Sequence, residues 1–170
     1  IPEAAELRDI RVQLPLSVYP RDGRLMAQIG EQRRIPVTWE EIPPLVVDAF
    51  LAAEDDRYFE HPGVDWQGLV RAAASNFSAG AVREGGGTIT MQLARLLDRG
   101  PRGWRSKLSE TVWALRLERH VPKQVILEQY LNRVHLGQNT AGVAAAAAHY
   151  MRAAANELSV GEAALLAGLA

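Results

Sequence analysis

The chain has 170 residues, 48% of them hydrophobic and 23% charged, with a formal net charge of −1. These values fit one ordinary globular domain with a real core, and they remove any bulk electrostatic case for a nucleic-acid partner. Cysteine is absent, which excludes disulfides and thiolate metal sites. No apolar stretch reaches the length of a membrane span, and no signal peptide is visible. The chain begins at Ile1 and not at Met, so it reads as an excised or processed piece.

Residues 1–15 carry no pattern and read as an N-terminal tether. The apolar runs Leu16-Ser17-Val18-Tyr19 and Leu25-Met26-Ala27-Gln28-Ile29 flank Asp22-Gly23, which predicts a hairpin. Arg33 to Val37 should be extended, because Pro36 disfavours a helix before it. Residues 16–37 thus form a small β element, and 38–170 a helical region. Thr38-Trp39-Glu40-Glu41 has capping-box spacing and opens a short helical turn. After Pro43-Pro44 the apolar run from Leu45 predicts a mostly buried helix to Asp55. From Val64 to Ser78 the residues Trp66, Leu69, Val70, Ala73, Ala74 and Phe77 recur at helical spacing. Such a stripe is either core packing or a surface that touches lipid.

Gly80 to Gly87 is a flexible glycine-rich loop feeding a helix from Thr88 to Leu97. Backbone N–H groups at that helix start suit an anion, but no Gly-Lys-Ser/Thr closes a P-loop. Asp98 to Gly103 breaks the chain. Trp104 to Arg119 is a long amphipathic helix, with Trp104, Leu108, Val112 and Leu115 on one face and Lys107, Glu110, Ala114 and Leu117 on another. Lys107 and Glu110 lie three apart, where a salt bridge is the default. Pro122 opens a helix to about Asn132. An alanine-rich helix spans Ala141 to Tyr150, and Ser159-Val160-Gly161-Glu162 caps a last helix to Ala170.

The densest chemistry lies in Ala53-Glu54-Asp55-Asp56-Arg57-Tyr58-Phe59-Glu60-His61-Pro62-Gly63, with four carboxylates, one imidazole and two aromatics in eleven residues. A carboxylate at the end of a buried helix, beside others, is poised for a raised pKa, as general acid–base work near neutral pH requires. A solvated acidic turn is the competing reading.

Together the segments resemble the family 51 glycosyltransferases, the peptidoglycan glycosyltransferase (transglycosylase) domains of class A penicillin-binding proteins and their monofunctional relatives. Glu54-Asp55-x-x-Tyr58-x-x-His61-x-Gly63 is similar to the first motif, and Gly85-Gly86-Gly87-Thr88-Ile89-Thr90-Met91-Gln92-Leu93-Ala94-Arg95 to the second. Lys107-x-x-Glu110 resembles the third, Lys123-x-x-Ile126-Leu127-Glu128-x-Tyr130-Leu131-Asn132 the fourth, and the tract from Gly137 through Tyr150 the fifth. The resemblance runs from near Leu16 to the end. There are departures. Tyr58-Phe59 inverts a usual Phe-Tyr pair, Gly87 stands for Ser, Met91 for Gln (as in some type 1C penicillin-binding proteins), Arg95 for Lys and Ser106 for Arg. Met151-Arg152 replaces Phe-Gly-Lys.

The resemblance implies a mainly α, lysozyme-like fold with two lobes flanking a cleft and a small N-terminal hairpin. It implies polymerisation of lipid II, with the growing glycan strand as acceptor and undecaprenyl pyrophosphate as leaving group, and moenomycin as inhibitor. A membrane anchor and any transpeptidase domain lie outside this chain. Glu54 is the expected base. Thr88, Gln92, Arg95, Arg105 and Lys107 are expected at the substrate or its pyrophosphate. Glu110 is expected to assist the leaving group, to orient Lys107 or to hold Mg²⁺ or Mn²⁺ there; no organic cofactor is expected. Asp55, Tyr58, His61, Gly63, Lys123, Glu128 and Asn132 are assigned to shaping the site. The setting is the outer face of the bacterial cytoplasmic membrane, with the 64–78 stripe against lipid and other cell-wall synthesis proteins nearby. Two rival readings are a lysozyme-type muramidase and a non-catalytic module that binds cell-wall precursor. The cationic motifs oppose the first, since a neutral glycan offers no pyrophosphate. The presence of both Glu54 and Glu110 opposes the second.

Overall fold

The computed structural model describes residues 16–18, 27–29, 33–79, 87–97 and 104–170, with side chains at 33–72, 87–97 and 107–170. The 1–15 tether, the Asp22-Gly23 turn, the glycine loop as far as Gly86 and the break from Asp98 to Gly103 lie outside the described residues. Helices dominate. The predicted hairpin is formed by β1 (Leu16–Val18) and β2 (Ala27–Ile29), antiparallel, with Leu16 opposite Ile29 and Val18 opposite Ala27.

Arg33 to Thr38 run extended, as Pro36 requires. A single 3₁₀ turn, Trp39–Glu41, follows; Glu41 Oε2 accepts from the Thr38 N–H at 2.7 Å, the expected capping interaction. Helix α1 (Pro44–Glu54) starts with proline in its first turn, where a missing N–H costs nothing. Val46, Val47 and Phe50 face the core, while Asp48, Ala52 and Ala53 are exposed. Only one face of α1 is therefore buried, not most of it. A continuous apolar run does not reveal which of its residues turn outward, because alanine tolerates either environment.

Then come α2 (Trp66–Ala79), α3 (Ile89–Leu97), α4 (Trp104–His120) and α5 (Lys123–Arg133). Helix α6 (Val143–Ala146) continues into a π turn at Ala147–Met151, a 3₁₀ turn covers Ala155–Glu157, and α7 (Val160–Ala167) closes the domain. The Ser159–Glu162 capping box is formed, with Glu162 Oε2 accepting from the Ser159 N–H at 2.8 Å. Among the described residues no helix is long and apolar enough to cross a membrane.

The short helix α3 is the hub. It packs against α4 and α5, while α1 packs against α7. Phe50, Ile89, Leu93, Leu117, Ile126, Tyr130 and Leu166 close one continuous core between them. Of the two faces predicted on α4, the one carrying Ala114 and Leu117 is packed, whereas Leu108 (65% exposed) and Val112 (44%) point outward.

Helix α5 also anchors the extended N-terminal segment. Asn132 acts as a substitute strand partner: its Oδ1 accepts from the Val37 N–H (2.9 Å) and its amide donates to the Val37 carbonyl (2.8 Å) and to the Glu128 carbonyl (2.9 Å). Glu128 Oε2 accepts from the Trp39 N–H at 3.2 Å. The chain turns back against the end of α5 at Gly142, where φ is +88° and a Cβ would lie 2.8 Å from the Asn132 carbonyl oxygen. Asn132→Ala would leave both Val37 backbone groups unpaired, and is expected to destabilise the fold by about 2–4 kcal/mol in a denaturant titration.

Candidate active site

Asp55 leaves the helix in an extended conformation (φ −164°), so Glu54 is the last residue of α1. The half-buried Glu54 carboxylate accepts from Gln92 Nε2 at 2.6 Å, and Gln92 Oε1 accepts from the Tyr130 hydroxyl at 3.1 Å. A chain of three side chains thus links α1, α3 and α5. Glu54 borders a small cavity of about 70 Å³ that it shares with Asp56, Asp65, Arg71 and Gly87.

The next residue does the opposite job. The Asp55 carboxylate turns inward, is buried, and accepts from the Ile89 N–H at 3.0 Å, capping the start of α3. Its other partner is His61, whose Nε2 lies 2.9 and 3.2 Å from the two Asp55 oxygens. His61 Nδ1 accepts from the Gly63 N–H at 3.2 Å, so the ring proton sits on Nε2 and is donated to Asp55. Thr88 is buried too. Its hydroxyl donates to the Gly63 carbonyl (2.6 Å) and accepts from the Met91 N–H (3.2 Å). The α3 N–H groups of Ile89 and Met91 are therefore spent on Asp55 and Thr88. Thr88 thus caps its own helix and also lines the cavity beside Glu54.

Gly63 holds this loop against α4. Its φ is +96°, and a Cβ there would meet Glu118 Cγ at 2.8 Å and the Ala114 carbonyl oxygen at 2.9 Å. Tyr58 is buried, and its hydroxyl donates to the Lys123 carbonyl at 2.8 Å. Burial, and then the Glu118 charge, push its phenol up, so it stays a donor. The inverted aromatic pair thus leaves Tyr58 inside with a partner for its hydroxyl and Phe59 outside, 57% exposed. Lys123 Nζ lies 4.2 Å from the Tyr58 ring centre and donates to Glu118 at 2.9 Å; Thr90 donates to the same Glu118 oxygen at 2.6 Å. Sequence reasoning missed Glu118. It looks like any charge on an amphipathic helix, and only the approach of Gly63 and Lys123 buries it.

Arg95 lies exposed in the last turn of α3, and its charge is felt at Tyr130. On α4, Lys107 is exposed and Glu110 half-buried. Among the described residues neither forms an ion pair, so the default i,i+3 salt bridge is not made. Glu110 stands one turn before Ala114, about 6 Å along the axis from where α4 meets the Gly63 loop. Arg105 lies in the first turn of α4, with its side chain outside the described residues. Glu128 and Asn132 sit in the core side of α5 and brace the Val37–Trp39 segment, away from Glu54 in their bonding. Of the departures, Gly87 has open space where a Cβ would stand, and Met91 packs against Val64 and Ala114. No group of three or more His, Cys, Asp or Glu side chains able to hold a metal gathers among the described residues. Glu110 would hold Mg²⁺ or Mn²⁺ only together with phosphate oxygens of a substrate.

Fold and site together define a mainly helical domain built around a carboxylate held at a helix end, with Arg95 and Lys107 exposed on neighbouring helices and in no ion pair among the described residues. The transglycosylase family model matches residues 22–170. Penicillin-binding protein 1A of Escherichia coli (strain K12) is 45% identical over 170 residues, which cover 99% of this chain and 20% of that protein. Penicillin-binding protein 1A of Pseudomonas aeruginosa is 41% identical over 99% of this chain and 21% of its own length. A crystal structure of penicillin-binding protein 1A from Haemophilus influenzae is similar over 94% of this chain and 14% of that one, at 29% identity and a TM-score of 0.46. The chain belongs to the transglycosylase family. It spans about a fifth of the length of the curated relatives it matches.

Asp65, on the rim of the Glu54 cavity, precedes α2. The Gly68 N–H, then the Arg57 charge, hold its carboxyl below the usual range against an opposing effect of burial. A depressed folded value means that its stabilisation is present above the unfolded value near pH 4 and is lost as pH falls through the folded one. Asp65→Asn should therefore lower the thermal midpoint at pH 7, and the gap to the parent should close by pH 2–3 in a melting series (about where such carboxyls are protonated).

Proposed function

We propose that this chain polymerises lipid II into β-1,4 glycan strands of peptidoglycan. Membership of the transglycosylase family supports the reaction class, and the resemblance of the motifs supports the substrate. In the reaction the C4 hydroxyl oxygen of the acceptor sugar bonds to C1 of the donor. The bond from C1 to the pyrophosphate oxygen breaks, the anomeric centre inverts, and undecaprenyl pyrophosphate leaves with the bonding pair. The hydroxyl proton passes to Glu54.

The observation that carries the assignment is the position of Glu54. It ends its helix half-buried beside a cavity, oriented by one donor from Gln92, with its second oxygen left for an incoming hydroxyl. Asp55, the next carboxylate, cannot serve, since His61 and Ile89 occupy it. A pyrophosphate leaving group needs cations more than a strong acid. Arg95 and Lys107 are exposed and form no ion pair among the described residues.

Glu54→Gln keeps the shape and removes the base. Polymer formation from labelled lipid II should fall by about 10²- to 10⁴-fold on a gel, while binding of lipid II persists. Undiminished polymer from the variant would sink the assignment. Sugar fragments released from finished glycan would indicate a muramidase, and binding with no turnover by the parent chain a precursor-binding module.

The proposed location is the outer face of the cytoplasmic membrane, where a lipid-linked substrate is presented. Trp66 (59% exposed) and Val70 (71%) stand one turn apart on the outside of α2, a pair suited to the lipid boundary. Replacing both with Ser should weaken sedimentation with vesicles severalfold, by about 1–3 kcal/mol of lost apolar burial, and leave turnover of a soluble short-chain substrate intact. Equal sedimentation of variant and parent would rule this face out.

A further inference from the structure

Tyr130 is completely buried, yet its hydroxyl reaches a polar group of the site. The proposed chemistry uses Glu54, Arg95 and Lys107 and gives Tyr130 no part. An ionised carboxylate only accepts hydrogen bonds, so it is the amide nitrogen of Gln92 that faces Glu54 and the amide oxygen that faces away. That oxygen receives the Tyr130 hydroxyl at 3.1 Å.

We infer that Tyr130 is a positioning residue for Glu54: through Gln92 it fixes the amide so that an N–H, and not an oxygen, meets the carboxylate. The inference rests on the reading of Glu54 as the base. A donor aimed at the carboxylate favours its ionised form. It holds the carboxylate in one orientation, with the other oxygen toward the cavity. The donor at the far end is durable. Burial, and then the Glu54 and Asp55 charges, push the Tyr130 phenol up against the opposing Arg95 charge, so it stays protonated across the working range. Tyr130 is itself held by packing, with the Phe50 ring edge-on at 6.5 Å. Without the hydroxyl, the Gln92 oxygen loses its partner, the amide gains freedom to turn, and the bond to Glu54 weakens.

The other charges around Glu54 are Asp55 and Asp56 next in the chain, Asp65 and Arg71 across the cavity, and Arg95 from α3. Helix α7, which packs on α1, carries only Glu162, whose carboxylate is held by Ser159. All of these persist when Tyr130 becomes Phe, so a changed proton affinity of Glu54 reports the hydrogen bond alone.

The test follows the Glu54 carboxyl by carbon-13 NMR in glutamate-labelled protein, with the signal assigned through Glu54→Gln. In Tyr130→Phe its titration midpoint should rise by about half a pH unit or more. With lipid II, kcat should fall about three- to tenfold while KM stays within about twofold, as expected for lost orientation and not lost binding. Phe50→Leu loosens the packing of the ring but keeps the hydroxyl, and should lower the melting temperature without moving the midpoint. An unmoved midpoint in Tyr130→Phe, or an equal rise in Phe50→Leu, would overturn the inference. Polymerisation surviving in Glu54→Gln would instead remove Glu54 as the base while the titration still reports on the hydrogen-bond chain, so the two failures are separable.

Discussion

The Asp55 carboxylate is the interaction on which the rest of the site depends. One buried acid joins two segments that the chain separates by 34 positions: the loop after α1, through His61, and the first N–H of α3. A helix start offers orphan donors and a partial positive charge, and a carboxylate satisfies both. Thr88, immediately before α3, supplies a second cap and ties the helix to the Gly63 carbonyl of that loop. With α3 pinned at its N-terminus, Gln92 one turn further along is carried to Glu54, and Arg95 appears at the far end of the same helix. Adjacent acids take unlike roles because α1 ends between them: one stays on the helix at the cavity, the other swings inward.

A second set of bonds fixes where α4 sits. Glu118 gathers Lys123 and Thr90 under the Gly63 loop, and Tyr58 roofs the lysine. A buried charge left alone costs several kcal/mol, so these partners are obligatory once Gly63 has brought α4 so near. The position of α4 in turn sets where Lys107 and Glu110 stand. The extended N-terminal segment is a third such case. Its start, Arg33, bridges to Thr140, and further along Asn132 and Glu128 serve the backbone of Val37 and Trp39.

Much of this was legible in the sequence. The hairpin, the capping boxes at Thr38 and Ser159, the helix after Pro44 and the helix after the glycines all follow from short-range chemistry, where side chain and backbone meet within four residues. Glu54 was legible as a candidate because an apolar helix ending in carboxylates is unusual. The family resemblance rested on ordered motifs whose identities the chain carries in full. Other things were not legible. The sequence offered Lys107–Glu110 as a salt bridge, reasonable locally, yet the two do not pair. It gave no sign that Glu118 would be buried, or which face of α4 would pack.

The sequence by itself determined the helical class, the order of the elements and the residue types available for chemistry, because helix starts, stops and periodicity are set by neighbours along the chain. Only the tertiary structure decided that Asp55 is a cap and Glu54 a half-buried group at the cavity, and that Gln92 stands between Glu54 and Tyr130. Those outcomes depend on which groups from α1, α3, α4 and α5 arrive within about 3 Å of each other. Hydrogen-bonding capacity is written in a residue's identity; the partner that uses it is chosen only when the helices pack.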